Sequence, residues 1–224
     1  MKTAYLPSAV IFDMDGVLID SQPLHCESDS LLLKSLGIDP ASVDFYPFFG
    51  MSNPEIWALL SAKYALSVPL GEILRQNVAL KLKLLSERDF SPIAGIPDLL
   101  ALLKREHILL AVASSSSPPF IEAVLDKIGI AAFFDSVVSG ESVAKSKPEP
   151  DVFLKAAELL GVLPQCCVVV EDSGNGVIAA KRAGMKCVAY KNPSSRNQDI
   201  SQADMAINSF AALSVSRLRE LWWE

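Results

Sequence analysis

The chain has 224 residues, with 20 Lys or Arg against 26 Asp or Glu, for a formal net charge of −6. Half of the residues are hydrophobic and 21% are charged, a globular composition with enough apolar material for one large domain or a main domain with a smaller insert. The acidic balance argues against nucleic acid or an anionic membrane as the main partner, but not against a small anionic ligand at a locally positive site.

The opening MKTAYLPSAVIF has no long apolar stretch before a small-residue cleavage site, and no segment reaches the ~18 consecutive apolar residues of a membrane span. A cytoplasmic protein is expected. In chain order, the first predicted strand is AVIFD at 9–13, which runs directly into the acids of VIFDMDGVLID. Residues 22 to about 90 hold no convincing strand. QPLHCESDSLLLKSLG reads as a helix ending at Gly37, and NPEIWALLSAKYAL as one with Asn53 at the N-cap and Pro54 at the first helical position. LGEILRQNVALKLKLLSERDF spaces Ile73, Leu74, Val78, Leu82 and Leu85 at helical intervals, which assigns its leucines to a core. Residues 21–90 are therefore expected to form a small helical bundle, inserted into a core of residues 1–20 and 91–224.

Further strands are predicted at 109–114, 136–140, 167–172 and 186–190, with a weaker one at 204–207. They are almost continuously apolar, as strands covered on both faces are. Helical patterns at 118–130, 149–161 and 174–185 separate them, with proline early and glycine late in the first two. Short links and strand-helix alternation outside the insert predict an α/β fold, a doubly wound parallel sheet. Cys26, Cys166, Cys167 and Cys187 have no metal-like spacing and read as reduced core thiols. The C-terminal RLRELWWE is expected to place its tryptophans on the core.

Ligands bind beyond the carboxyl ends of parallel strands. Asp13 and Asp15 follow the first strand, Ser114 ends the second, Lys147 comes shortly after the third, and Glu171 and Asp172 end the fourth. Carboxylates crowded together need a counter-charge, and a hard dication with oxygen ligands, most simply Mg²⁺, supplies one. Ser114 and Lys147 then read as a hydroxyl and a cation aimed at phosphate oxygens. An ionised Asp can attack phosphorus, while a second, partly protonated carboxyl serves the leaving oxygen and later water. Taken singly, each signal has a plainer reading: a solvated turn, a polar SSSS loop, a surface lysine with Lys145 as competitor, a helix-capping EDSGNG. Their order after successive strands favours a site.

The sequence resembles the haloacid dehalogenase superfamily, in its branch of phosphatases and β-phosphoglucomutases. The resemblance rests on DMDGVLIDS, on Ser114, on Lys147 in SKPEPDVF and on EDSGNG, in that order. It implies a Rossmann-like core with a helical cap after the first strand. It further implies Asp13 as nucleophile, Asp15 as general acid/base, Ser114 and Ser115 with Lys147 on phosphate, and Mg²⁺ on Asp13, Asp15 (through its carbonyl) and Asp172. Glu171 would be a ligand or a partner behind the ligands. His25 matches a hinge histidine that faces the cleft, with an exposed helix position as the alternative. Asn53 stands where β-phosphoglucomutases carry an arginine for a second phosphate, and Ser117 where they carry a lysine. Hydrolysis of a small phosphorylated metabolite is thus expected over mutase action, by a monomer or weak dimer. Asp15 argues against dehalogenation, and the lack of a lysine between Ser21 and Leu33 against phosphonoacetaldehyde hydrolysis. A non-enzymatic phosphoacceptor module would place its accepting Asp on the third strand, where SVVSG has none.

Overall fold

The computed structural model describes residues 6–195 and 198–221. The strands are β1 (Ala9–Phe12), β2 (Leu109–Ser114), β3 (Ser136–Ser139), β4 (Cys167–Glu171), β5 (Lys186–Tyr190) and β6 (Met205–Ile207). They form one six-stranded sheet in the order β3-β2-β1-β4-β5-β6, every pair parallel. The order reverses at β1, so the crevice between the carboxyl ends of β1 and β4 is the topological switch point.

Both faces of the sheet are buried, as its apolar strands required. Val10 and Phe12 share one face with Leu110, Val112, Val168 and Val170. That face packs on α4 (Ile96–Arg105), α5 (Pro118–Lys127) and α8 (Val215–Glu220), through residues such as Leu103, Val124 and Leu218. Ala9 and Ile11, with Ala111, Ala113 and Val169, face α6 (Asp151–Leu160) and α7 (Gly174–Arg182). The side chains on this second face are smaller.

Between β1 and α4 lies the helical insert, with α1 (Gln22–Ser35), α2 (Asn53–Lys63) and α3 (Leu70–Ser86). It has its own apolar cluster, with Leu33, Trp57, Leu60 and Ile73 at its centre. Among the described residues no helix is long and apolar enough to cross a membrane.

Three expectations need correction. The N-cap of α2 is Ser52, in extended backbone at φ −77°, ψ 151°, and Asn53 is the first helical residue with its amide turned inward and buried. The inner stripe of α3 is Ile73, Asn77, Lys81, Leu84 and Leu85, while Leu74, Val78 and Leu82 are only half-buried. The helical period was right, but its inward face carries two polar side chains. Of the cysteines, Cys167 and Cys187 are buried, where burial pushes the Cys167 thiol up to about 12. Cys26 is exposed within the first turns of the helix over residues 22–35, and Cys166 is half-buried in the turn just before β4. Trp222 and Trp223 lie outside the described residues.

Candidate active site

β1 stops at Phe12, so Asp13 is the first residue beyond the strand, held there by its N–H donating to the Val170 carbonyl at 2.9 Å. The chain then turns through Gly16 at φ +86°, a left-handed conformation that favours glycine. A Cβ at Gly16 would lie 2.0 Å from Asp172 Oδ2, so the missing side chain is what lets the turn and β4's acid share the crevice. Asn192 Nδ2 holds the turn by donating to the Gly16 carbonyl at 2.9 Å.

Lys147 is 1% exposed and lies between two carboxylates. Its Nζ contacts Asp13 Oδ1, donates to Glu171 Oε1 at 2.8 Å and donates to the Ala113 carbonyl at 3.1 Å. Burial works against this ammonium, but Asp13 and Glu171 outweigh it and hold its pKa above the ordinary lysine range. Lys145, its competitor in the sequence, is exposed. Glu171 is engaged at both oxygens: Oε2 accepts from the N–H groups of Asp172 and Ser173, each at 2.8 Å, and from Ser173 Oγ at 3.0 Å. Asp172 Oδ2 accepts from Ser195 Oγ.

Oxygens of Asp13, Glu171 and Asp172 lie within 4.8 Å of one another, all buried. Burial first, and then the neighbouring carboxylates, push the carboxyls of Asp13 and Asp172 well above the usual range. A compact set of hard oxygen donors that resists sharing its negative charge fits a dication such as Mg²⁺.

Asp15 has the opposite environment. Burial pushes it up, but the charge and hydrogen bond of His25 and the hydroxyls of Ser21 and Ser116 overcome that and hold it well below the usual range. His25 Nε2 lies 2.7 Å from Oδ1, and Ser21 Oγ donates to the same oxygen at 2.6 Å. Ser114 Oγ at 3.2 Å and Ser116 Oγ at 2.8 Å both donate to Oδ2. A resting, partly protonated Asp15 is therefore not what its surroundings favour. Of the two readings of His25, the structure adopts the cleft-facing one, with its ring edge-on to Phe120 at 5.4 Å. Ser21, Ser116, Ser195 and Asn192 were missed. Ser116 stood in plain view within SSSS and Ser21 beside DMDGVLID, but no spacing marks Ser195 or Asn192.

The insert closes over this crevice. Ser115 Oγ donates to the Gly50 carbonyl at 2.6 Å, Asn175 Nδ2 donates to the Phe49 carbonyl at 2.8 Å, and Ser146 Oγ donates to Glu55. Ser115 thus spends its hydroxyl on the insert. Beneath lies a cavity whose floor includes Asp13, Asp15 and Asp172. Its insert-side wall includes His25, Asp29, Asn53, Lys81 and the aromatic rings of Phe45, Phe48 and Phe49. Asp29 and Lys81 had no role in the sequence reading. Lys81 was traceable in principle, since it falls two turns after Ile73 on the inward stripe.

Residues 10–190 match the profile of a family described as Haloacid dehalogenase-like hydrolase. Hexitol phosphatase B of Escherichia coli (strain K12) is 33% identical over 220 residues, covering 97% of this chain and 99% of the relative. The beta-phosphoglucomutase of Bacillus subtilis (strain 168) is 31% identical over 96% of this chain and 95% of its own. A crystal structure of CbbY from Rhodobacter sphaeroides, in complex with xylulose-(1,5)bisphosphate, superposes with a TM-score of 0.78. It is 29% identical, covering 94% of this chain and 97% of that one.

Proposed function

The chain belongs to the haloacid dehalogenase-like hydrolases, and from that premise we propose that it is a phosphatase releasing inorganic phosphate from a small phosphorylated sugar or a close relative of one. One observation carries the reading: Asp13, Asp15, Lys147 and Asp172 converge at the switch point of the sheet, under an insert that encloses a cavity.

In the proposed reaction, a carboxylate oxygen of Asp13 attacks phosphorus while the bond to the leaving oxygen breaks, giving an aspartyl-phosphate and an alcohol. Asp15 passes a proton drawn from His25 to that leaving oxygen. Returned to its carboxylate form, Asp15 takes a proton from water as the water attacks the aspartyl-phosphate, which frees phosphate and restores Asp13, and Asp15 passes that proton back to His25. Lys147 meets the charge on the transferring group. Asp13, Asp172 and the Asp15 carbonyl would hold Mg²⁺, which when bound offsets the charge of the carboxylates and the phosphate. Glu171, already saturated by Lys147 and by N–H and O–H donors, positions Lys147 and the β4 loop rather than reaching the metal. Ser114 and Ser116 orient Asp15 beside the phosphate.

The insert, residues 21–90, is read as a cap that opens for substrate and closes to exclude water. A cytoplasmic location and a monomeric or weakly dimeric state belong to the same reading. Phosphate release from a panel of hexitol, hexose and generic phosphate esters tests it. Asp13→Asn and excess chelator should each abolish release, and robust turnover in either would reject the scheme. Transfer to a sugar acceptor would favour the mutase, but the insert offers Asn53 where an arginine would hold the second phosphate.

A further inference from the structure

α2 opens on Ser52-Asn53-Pro54-Glu55, the S-x-x-E pattern of a capping box. In such a box the N-cap hydroxyl accepts from the N–H of the third helical residue, and the carboxylate of that residue accepts from the N-cap N–H. Neither reciprocal bond is present at α2. Ser52 Oγ donates instead to Glu55 Oε2 at 3.2 Å, and the Ser52 N–H donates to Ser146 Oγ of the core at 3.3 Å. Ser146 Oγ donates in turn to Glu55 Oε2. A core serine therefore accepts the bond that the helix's own glutamate is placed to accept, and that glutamate binds the core serine instead.

Ser52 and Ser146 are each 4% exposed and Glu55 is half-buried, so this carboxylate collects two hydroxyls where little water reaches. Hydrogen bonds to an ionised acceptor are stronger than neutral ones. Ser146 also directly precedes Lys147, in the loop after β3. The other contacts between insert and core, from Ser115 and Asn175, end on the Gly50 and Phe49 carbonyls, which water would take over if the insert lifted. The Ser52 N–H is different. Glu55 lies three residues on, at the position from which a capping box accepts, and it travels with the insert.

We propose that Ser146 and Glu55 are positioning residues that form an exchangeable latch for the insert. With the insert shut, Ser146 caps α2 and binds Glu55. With the insert lifted, Glu55 takes over the Ser52 N–H and completes the capping box inside α2. That N–H is bonded in both states, so opening costs the net of about one hydrogen bond instead of two. Closure is made fast one residue from Lys147, beside the chemistry. The proposal rests on the reading of the insert as a moving cap and adds to it the device that holds it shut.

The test measures kcat/KM for phosphate release from sorbitol 6-phosphate and from p-nitrophenyl phosphate, using whichever ester turns over faster. Ser146→Ala should lower it by about fivefold, the worth of one hydrogen bond of closure. Adding Glu55→Ala to Ser146→Ala should lower it no further, because the latch is already gone, whereas two merely structural losses would accumulate. Amide hydrogen exchange followed by NMR reads the exchange of partners directly. The Ser52 amide should keep its protection in Ser146→Ala, where Glu55 accepts, and exchange about fivefold faster only once Glu55→Ala is added. Circular dichroism melts establish that each variant is folded. If Ser146→Ala does not fold, Glu55→Gln decides: it keeps an acceptor for the Ser52 N–H but removes the charge that Ser146 meets, so kcat/KM should fall by about threefold with the Ser52 amide still protected. Unchanged kcat/KM in the deciding variant, a further loss in the double variant, or a Ser52 amide already faster in Ser146→Ala overturns the latch and leaves the phosphatase reading intact. No phosphate from either ester overturns the phosphatase reading, and the Ser52 amide, which needs no turnover, then decides the latch.

Discussion

Lys147 Nζ donates to Glu171 Oε1 at 2.8 Å, a bond between the loop after β3 and the end of β4 that lies wholly inside the protein. Glu171→Gln should leave the ammonium with one carboxylate instead of two and present it with an amide. Breaking one side of a buried pair costs about 3–5 kcal/mol, so a marked fall in the denaturation midpoint is expected. Lys147→Ala should lower kcat by about 10²-fold or more, as loss of a transition-state charge partner does. Equilibrium unfolding and steady-state phosphate release measure the two effects.

His25 is the largest single influence holding the Asp15 carboxyl down against the effect of burial. His25→Gln should let that carboxyl rise toward the ordinary range. Because Asp15 must be ionised to take a proton from water in the hydrolysis of the aspartyl-phosphate, the acid limb of the kcat profile should move to higher pH. Asp15→Asn should lose about 10²–10⁴-fold in turnover and accumulate an acid-stable phosphoenzyme from p-nitrophenyl phosphate. An unmoved acid limb in His25→Gln would remove the histidine from the proton path.

Gly16→Ala should damage the metal site beyond its backbone strain, because the added Cβ would fall 2.0 Å from Asp172 Oδ2. Gly37→Ala is the matched control: its φ is +78°, but nothing lies within 4 Å of the added carbon. Both should lose about 1 kcal/mol of stability or more from the left-handed conformation. Only Gly16→Ala should raise the Mg²⁺ concentration needed for half-maximal activity.

The insert rests on the core through side chains donating to backbone carbonyls, Ser115 to Gly50 and Asn175 to Phe49. Asn175→Ala should cost about 1 kcal/mol of closure, or roughly fivefold in kcat/KM. Hydrogen exchange of residues 45–52 should quicken in that variant without a matching change in the sheet.

Asp204 acts on folding rather than chemistry. It accepts from the Cys187 N–H at 2.8 Å and from Lys181 Nζ at 2.7 Å, joining β5 to the turn before β6. Burial raises its carboxyl, but Lys181, the Cys187 N–H and Lys186 more than offset this, so its pKa in the folded protein is depressed. The stability it contributes is present above the unfolded pKa of about 4 and is lost as pH falls through the lower folded value. The wild-type advantage over Asp204→Asn, about 1 kcal/mol near neutrality, should therefore fade below about pH 4.

The sequence alone determined the sheet and the placing of the core acids. Strands covered on both faces must be apolar throughout, as β1, β2 and β4 are, and a polar residue that ends such a run is delivered to the carboxyl edge of a parallel sheet. Asp13, Glu171 and Asp172 were legible for that reason, being local breaks in local patterns, whereas Lys147, in the loop after β3, was legible through SKPEPDVF. Only the tertiary structure decided the inner face of the insert. Helical period reveals that α3 has an inner face, but the rotation that aims Asn77 and Lys81 inward depends on how the whole insert packs over the crevice. The same holds for Asp15. Its pairing with Asp13 suggested a partly protonated carboxyl, yet His25, Ser21 and Ser116 converge on Asp15 from α1, from the residue before α1 and from the loop after β2, and hydrogen bonds made across the fold decide its charge.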